Sequence, residues 1–193
     1  MVLTVSACAN LAPSRPSLAV DVPTASSTAP VAAPSPAPPH GEMSPRKNLV
    51  KKVGETADWG IGNNNISVKF VVDKITVDPK CTSQFAGKPQ NGHLVQMDVR
   101  VETTPDMPTN TGYSINPYSF SAIGPDGVTE PSVVSGVSFS CLAPNTHLPA
   151  QFAPASKYRG SLVLDVSSPT GTLIFSPSFS GAGGWEWAFP AAG

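Results

Sequence analysis

Residues 93–104 alternate between apolar and polar side chains, and this pattern constrains the fold more than any other part of the chain. Every second residue from Val95 to Val101 is apolar, while the residues that follow each of them are Gln, Asp, Arg and Glu. A period of two places the two sets on opposite faces of a β-strand. The segment therefore predicts a half-buried strand, which is typical of an antiparallel sheet with one face in a core and the other in water.

Other segments also have the length and composition of strands. Residues 66–77 alternate as well, but Ile75 and Val77 are out of phase with the apolar residues before them, so we predict a β-bulge near Asp73 and Lys74 that restores the facing. In the final candidate, Trp185, Trp187 and Phe189 share one face. The remaining candidates are short apolar runs between turn residues: 120–123, 160–166, 172–175 and 185–189.

Turn residues separate these runs, and the sequence 125–127 (Pro-Asp-Gly) predicts a tight hairpin turn. The chain contains 22 Pro and 16 Gly in 193 residues, which argues against a mostly helical protein. We find no convincing helical pattern of ten or more residues. Many short strands with regular turn signals predict an all-β protein built as an antiparallel β-sandwich.

Residues 9–45 have a different composition, with nine prolines, many Ala, Ser and Thr, and only three charged residues. Such a segment buries too little apolar surface to offset the entropy lost on ordering. Proline favours extended conformations, so the segment could span up to about 100 Å. We therefore predict a disordered Pro/Ala/Ser-rich stalk over 9–45 and a folded domain over 46–193.

The tetrapeptide Val5-Ser6-Ala7-Cys8 has the pattern of a bacterial lipobox, in which the Cys thiol receives a diacylglycerol. A signal peptide also needs a positively charged start and an apolar core of about 7–15 residues, and residues 1–8 provide no Lys or Arg. Either the match is accidental or the signal is truncated. We favour a truncated lipoprotein signal over 1–8, because the composition changes at Cys8, and we expect lipidation there.

Cys81 and Cys141 are the two other cysteines, and both fall in the predicted domain. An even pair in an oxidising compartment predicts a disulfide, which would close a loop of about 60 residues. Such a bridge could pin the two sheets together or staple a long loop. The alternative is two buried free thiols in a cytosolic protein, which would leave the lipobox and the stalk unexplained.

Composition and motifs give little support to nucleic-acid binding, cofactors or metals. Charged residues make up 13% of the chain and the net charge is −1, so we expect no nucleic-acid partner. No CxxC or HxxxH spacing occurs. A copper-carrier hypothesis arises from His40 and Met43 with Met97 and Met107, because thioether and imidazole groups suit copper. A core position for Met97 and a stalk position for His40 and Met43 are the stronger interpretation.

Candidate catalytic and ligand-binding residues are also weak. No GxSxG motif occurs, and Asp98 and Glu102 lie on one strand face with Arg100 between them, which favours a solvated charged surface. Aromatic residues could line a groove for a sugar or a peptide, although aromatics that alternate on strands more often form a core. These residues are Trp59, Tyr158, Trp185 and Trp187.

After the lipobox and the stalk, the chain contains a fixed order of motifs: 53–59, 66–70, 93–101, Phe120 with 125–127, 160–166 and 185–187. This order, over residues 48–190, resembles a family of actinobacterial lipoproteins whose immunoglobulin-like sandwich is a domain of unknown function. Secreted immunoprotective antigens with the same sandwich are related to that family. The resemblance implies an immunoglobulin-like fold, export and no enzymatic activity, and it carries over no catalytic residues.

These observations favour an exported, lipid-anchored protein on the outer face of the cell membrane. Its domain would be a non-enzymatic module that binds a protein or an envelope glycan. Two alternatives remain open: an accessory subunit or hydrolase of the cell envelope, and a copper-binding carrier. A histidine within hydrogen-bond reach of an acid and a serine would favour the hydrolase.

Overall fold

The computed structural model describes residues 41–60, 66–110, 112–177 and 183–190. Regular structure in these ranges is almost entirely β. The strands are β1 (Leu49–Val50), β2 (Thr56–Trp59), β3 (Val68–Val77), β4 (His93–Thr103), β5 (Phe120–Ile123), β6 (Thr129–Glu130), β7 (Lys157–Val166), β8 (Gly171–Phe175) and β9 (Trp185–Phe189). Between β6 and β7 lies a short helix, α1 (Gly136–Ser140), and one-turn 3-10 helices cover Pro117–Ser119 and Pro144–Thr146.

The strands form two sheets, and the predicted β-sandwich is confirmed. Sheet A has the strand order β1-β9-β8-β5-β6, and sheet B has the order β2-β3-β4-β7. All pairings are antiparallel except that of β1 with β9. The main core contains residues from both sheets, including Val95, Met97 and Val99 of β4 and Leu173 and Phe175 of β8.

The strand order is that of an immunoglobulin-like fold. From β4 onward the chain passes to sheet A for β5 and β6, returns to sheet B for β7, and ends in sheet A with β8 and β9. The order β9-β8-β5-β6 matches strands G, F, C and C′ of a variable-type domain, and β3-β4-β7 matches strands A, B and E. Among the described residues, β2 is an addition at the edge of sheet B and strand D has no counterpart.

The register of β3 and β4 confirms the predicted bulge. Pairing shifts between Val72 and Lys74, so that Val72 and Ile75 are both buried, with 1% and 8% of their surface exposed. One detail of the prediction is wrong: β3 begins at Val68, and Ile66 lies before it with 41% of its surface exposed. The 125–127 hairpin turn is confirmed, because the Gly124 amide donates to the Val128 carbonyl at 2.9 Å where β5 turns into β6.

The first strand is fixed to the last by a buried carboxylate. Glu186 on β9 is 5% exposed, and it accepts hydrogen bonds from Arg46 Nη2 and from Asn48 Nδ2, each at 3.2 Å. Two backbone amides reinforce the contact, because Leu49 donates to the Gly184 carbonyl and Lys51 donates to the Glu186 carbonyl. Glu42, which the sequence analysis placed in the stalk, accepts a backbone hydrogen bond from Val50 at 2.7 Å.

A small cap covers one end of the outer face of sheet B. We define this cap as residues 79–91, between β3 and β4, and 135–148, which include α1. A disulfide between Cys81 and Cys141 joins its two parts, so the bridge staples two loops rather than the two sheets. Beneath it is a second apolar cluster, separate from the main core, formed by Leu94, Val137, Cys141, Leu142 and Val163.

Asp165 fixes the cap to β7. Its side chain is fully buried and accepts hydrogen bonds from the backbone amides of Gln90, at 2.7 Å, and Asn91, at 3.0 Å, as well as from the Ser135 hydroxyl. Each part of the cap therefore donates to the same carboxylate. The other end of the same sheet face carries no such cover, and it is there that charged side chains collect.

Candidate functional site: a charged trough on sheet B

The uncapped end of sheet B forms an open trough of about 450 Å³. Its side chains come from all four strands of the sheet. The antiparallel register places residues that point to the same face side by side on neighbouring strands. We use the name trough for the polar and charged residues of this lining together with Val71: Thr56, Lys69, Val71, Arg100, Glu102, Lys157 and Arg159.

Two cross-strand rows organise the trough. In one row Lys69 pairs with Glu102, and Glu102 pairs with Lys157, so that charges of opposite sign alternate. In the other row Val71 pairs with Arg100, and Arg100 pairs with Arg159. On β2 the first row is extended by Asp58, which pairs with Lys69, so each lysine of that row has a carboxylate beside it. The second row places two guanidinium groups next to each other.

Arg100 is held by Asp73, the residue at the bulge of β3. Arg100 Nε donates to Asp73 Oδ1 and Oδ2 at 2.9 and 2.7 Å, and Nη2 donates to Oδ1 at 2.7 Å. These charge-assisted hydrogen bonds lower the pKa of Asp73 and raise the pKa of Arg100. The bulge therefore has a local role, because it places a carboxylate where it fixes one arginine of the pair.

Arg159 differs from its neighbours in the trough. Lys157 contacts Glu102 at 3.2 Å and Arg100 contacts Asp73, but no ion pair or hydrogen bond joins the Arg159 side chain to any residue in the described ranges. Arg159 is exposed and lies directly opposite Arg100. Like charges in directly opposed positions destabilise a sheet pair. The charge of Arg159 also helps to lower the pKa of Asp73, but less than Arg100 does. The trough thus contains one arginine that Asp73 holds by hydrogen bonds and a second, Arg159, that Asp73 attracts without a hydrogen bond.

The trough continues into a second depression that contains acidic residues. This depression encloses about 440 Å³ and shares Arg159 with the trough. Asp98, one of its lining residues, accepts hydrogen bonds from Gln96 Nε2 and from the Ser161 hydroxyl, both at 2.7 Å. Asp98 is therefore fixed by neutral donors, and Arg159 stands at the boundary between the basic and the acidic parts of the face.

In the described ranges, the histidine, acid and serine combination that would favour a hydrolase is seen only in part, as a histidine–acid pair. His93 Nδ1 lies 2.9 Å from Asp78 Oδ2, and the hydrogen bond from His93 lowers the pKa of Asp78. No serine hydroxyl bonds to this pair in the part of the chain that the structure describes. His147 lies at the edge of the cap, where its backbone forms a parallel bridge with Ser161.

The residues behind the copper-carrier hypothesis are not brought together. Met97 and Met107 are buried in the main core, with 0% and 3% of their surface exposed, whereas Met43 is 58% exposed next to β1. Between residues 41 and 190, in the ranges described, no group of three or more His, Cys, Asp or Glu side chains is placed to hold a metal ion. His40 and the predicted lipidation site Cys8 lie outside the described residues.

The aromatic groove considered from the sequence is wrong for its three tryptophans, while Tyr158, its fourth member, is half-buried and borders the trough. Trp59, Trp185 and Trp187 are 6%, 5% and 1% exposed, and all three belong to the main core. Trp59 contacts Phe70 and Phe175 edge-on, with ring centroids 5.1 and 5.6 Å apart. Burial between two sheets explains the result, since the inner faces of a sandwich take the largest apolar side chains.

The sequence indicated one part of the trough, the charged face of β4. It did not indicate which residues of β7 pair with that face. Alternation shows that Arg100 and Glu102 share a face, yet only the register shows that Arg159 and Lys157 lie opposite them. A one-residue slip would have placed the β7 side chains on the other face. The clue available beforehand was the alternation of Lys157 and Arg159 just before the predicted strand 160–166.

Comparisons with known proteins add one structural likeness. No family model matches the sequence, and no curated protein matches it. The fold is similar to the crystal structure of MPT63, a secreted protein from Mycobacterium tuberculosis. The two share 16% sequence identity with a TM-score of 0.41, over 72% of this chain and 97% of that one. The immunoglobulin-like assignment made above stands on the strand order.

Proposed function

We propose that this chain is an exported lipoprotein of the actinobacterial type whose immunoglobulin-like domain is a non-enzymatic binding module. Three features support the proposal. The lipobox at Cys8 and the Pro-rich segment that follows fit a tethered domain. The disulfide between Cys81 and Cys141 fits an oxidising compartment.

The trough is the observation that carries the binding role. An open depression of about 450 Å³, with a free guanidinium and a framework of cross-strand ion pairs, is a surface that can receive a polar ligand. The cap supports this role, because it covers the other end of the same face and is held there by a disulfide and a buried carboxylate. The domain therefore presents a bounded site on a rigid sheet.

Anchoring is tested by mass spectrometry of the mature protein from its native host. A diacylglycerol-modified Cys8 at the N-terminus is the expected result. An unmodified chain that retains Met1 would overturn the lipoprotein assignment.

Binding through the trough is tested by co-sedimentation of the full chain with purified cell-envelope fragments. The variant Val71→Trp places a large side chain in the trough without removing a charge, and we expect it to abolish most of the sedimented fraction. Val128→Trp is the matched control, because Val128 is 60% exposed at the β5–β6 turn of sheet A. Equal sedimentation of both variants would show that the trough is not the contact surface.

A further inference from the structure

Resting on the binding role proposed above, we propose that the trough binds an acidic polysaccharide and that Arg159 is its main anion contact. The inference begins with the charges of the trough. Four of its seven residues are cationic. Three carboxylates face three of these cations: Asp58 lies opposite Lys69, Asp73 binds Arg100, and Glu102 binds Lys157. Arg159 is the cation of the trough without an ion pair to a described residue. A carboxylate or phosphate group is the ligand chemistry that complements such a surface.

The arginine pair shows where the anion binds. Arg100 has its carboxylate, Asp73, on the β3 side, whereas Arg159 lies on the edge strand of sheet B and no paired strand follows it. A guanidinium offers parallel N–H donors that fit a carboxylate or a phosphate in a bidentate manner. An anion bound at Arg159 would accept hydrogen bonds from its guanidinium, as Asp73 does from Arg100. It would also reduce the electrostatic repulsion between the two arginines.

The composition of the trough favours a carbohydrate over a protein partner. Protein interfaces have apolar cores, depleted in charge and rich in aromatic anchors. Two aromatic residues border the trough, but Phe70 is buried and Tyr158 is half-buried. The large apolar side chains that are exposed in the described ranges lie elsewhere: Met43, Ile66, Phe85, Tyr118, Val128 and Phe139. Hydroxyl and carboxylate groups along a sugar chain match the mixed polar surface better.

Part of the β7 edge of sheet B is covered by other segments of the chain. On the β7 edge, the Asp165 amide donates to the Val133 carbonyl, and Ser161 is bridged by His147. Gly160 packs closely against the segment that contains His147, since a Cβ at Gly160 would come within 2.7 Å of the Leu148 nitrogen. A peptide strand therefore cannot pair with β7 from Gly160 to Asp165, whereas the side chains of the trough remain open to a ligand from the face of the sheet.

The test is the binding of the full chain to defined polymers at low salt. The probes are polygalacturonate, which carries carboxylates, a phosphomannan, which carries phosphates, poly-glutamate as an acidic peptide, and neutral dextran. We expect at least one acidic polysaccharide to bind more tightly than poly-glutamate, and we expect binding to weaken with added salt, as exposed charge pairs do. The two polysaccharides distinguish carboxylate from phosphate as the preferred anion.

Two variants show whether Arg159 is responsible. Arg159→Gln should weaken binding at least about fivefold, consistent with the loss of one exposed charge-assisted contact. Lys88→Gln removes the same charge from an exposed position in the cap and should leave the affinity unchanged. Thermal unfolding of each variant shows whether it is folded.

Several results would overturn the inference: no binding of either acidic polysaccharide, equal binding by Arg159→Gln, or tighter binding of poly-glutamate. If envelope fragments still sediment through the trough in those cases, only the ligand class is wrong. If Val71→Trp also leaves sedimentation unchanged, the binding role itself fails.

Discussion

Asp73 and Arg100 form the best-defined ion pair of the domain, and its strength depends on the charge of the carboxylate. A group whose pKa is lowered on folding stabilises the folded state above its unfolded pKa, and that stabilisation is lost as pH falls through the folded pKa. The pKa of Asp73 is lowered from an ordinary value of 3.8, chiefly by the hydrogen bonds from Arg100. The pair should therefore matter at neutral pH and vanish in strong acid.

The variant Asp73→Asn tests this dependence. We expect its free energy of unfolding to lie below that of the wild type at about pH 6, and the difference to shrink as the pH falls below 3.8 and the wild-type carboxyl becomes protonated. Denaturant titrations at several pH values measure it. Asp106→Asn, at an exposed turn, is the control. A difference that stays constant with pH would contradict the ion-pair explanation.

Asp165 differs from Asp73 in being fully buried, and its hydrogen-bond donors belong to the cap. Replacing it with Ala leaves the amides of Gln90 and Asn91 and the Ser135 hydroxyl without their acceptor. Since an unsatisfied buried donor costs about 1–3 kcal/mol, we expect a loss of about 2–5 kcal/mol in unfolding free energy. Hydrogen exchange should also quicken at Gln90 and Asn91.

Asp126→Ala is the comparison for Asp165→Ala, since Asp126 accepts one exposed hydrogen bond, from the Val128 amide. Its cost should be about 1 kcal/mol or less. If the two variants lost equal stability, Asp165 would not be the attachment point of the cap.

At the level of elements, β7 is the strand on which the cap, the trough and the sheet edge meet. Its outward residues run from Lys157 and Arg159 in the trough to Val163 and Asp165 under the cap. Gly160 in its middle is required by close approach, because a Cβ would come within 2.7–3.0 Å of backbone atoms of residues 146–148. Backbone atoms in that position have little freedom to move aside.

Gly160→Ala should therefore displace the segment 146–148 and cost about 1–3 kcal/mol, the usual range for overpacking. Gly87→Ala is the matched control, since a Cβ at Gly87 meets nothing within 4 Å. Chemical denaturation measures the cost, and hydrogen exchange locates the displaced segment. If Gly160→Ala left the free energy of unfolding unchanged, the segment 146–148 would not pack on β7 as described.

At the level of the whole molecule, the domain combines a large core with a small, separately held cluster under the cap. The cluster has five buried residues, so its apolar burial contributes little to the stability of the cap. The Cys81–Cys141 bridge supplies additional stabilisation there. A bridge that closes about 60 residues stabilises by about 4 kcal/mol in the chain-entropy model.

We expect the double variant Cys81→Ala with Cys141→Ala to lose up to about that amount, with the loss of order concentrated in the cap. Hydrogen exchange should rise in 79–91 and 135–148 while β3, β4 and β8 stay protected. A uniform rise across both sheets would show instead that the bridge supports the main core.

The sequence predicted more of the sandwich than of the site, for a physical reason. Strands such as 93–104 bury one face, so their alternation is visible without knowing their neighbours. The β1 and β2 strands are short, and no periodicity marked them. The pairing of Arg100 with Arg159 depends on a register between segments 59 positions apart, which is set by the whole fold rather than by either segment.

The parallel pairing of β1 with β9 also has a mechanical meaning. A pull on the chain from the residues before Gly41 is carried first by the bonds of β1 to β9 and by the contacts of Arg46 and Asn48 with the buried Glu186. In the tethered arrangement proposed above, β1 would be the first strand to separate under such a pull, because it contributes only two residues to its sheet, and the other strands of the sandwich would stay paired. The strand would then act as an extensible link between the proposed tether and the proposed binding face.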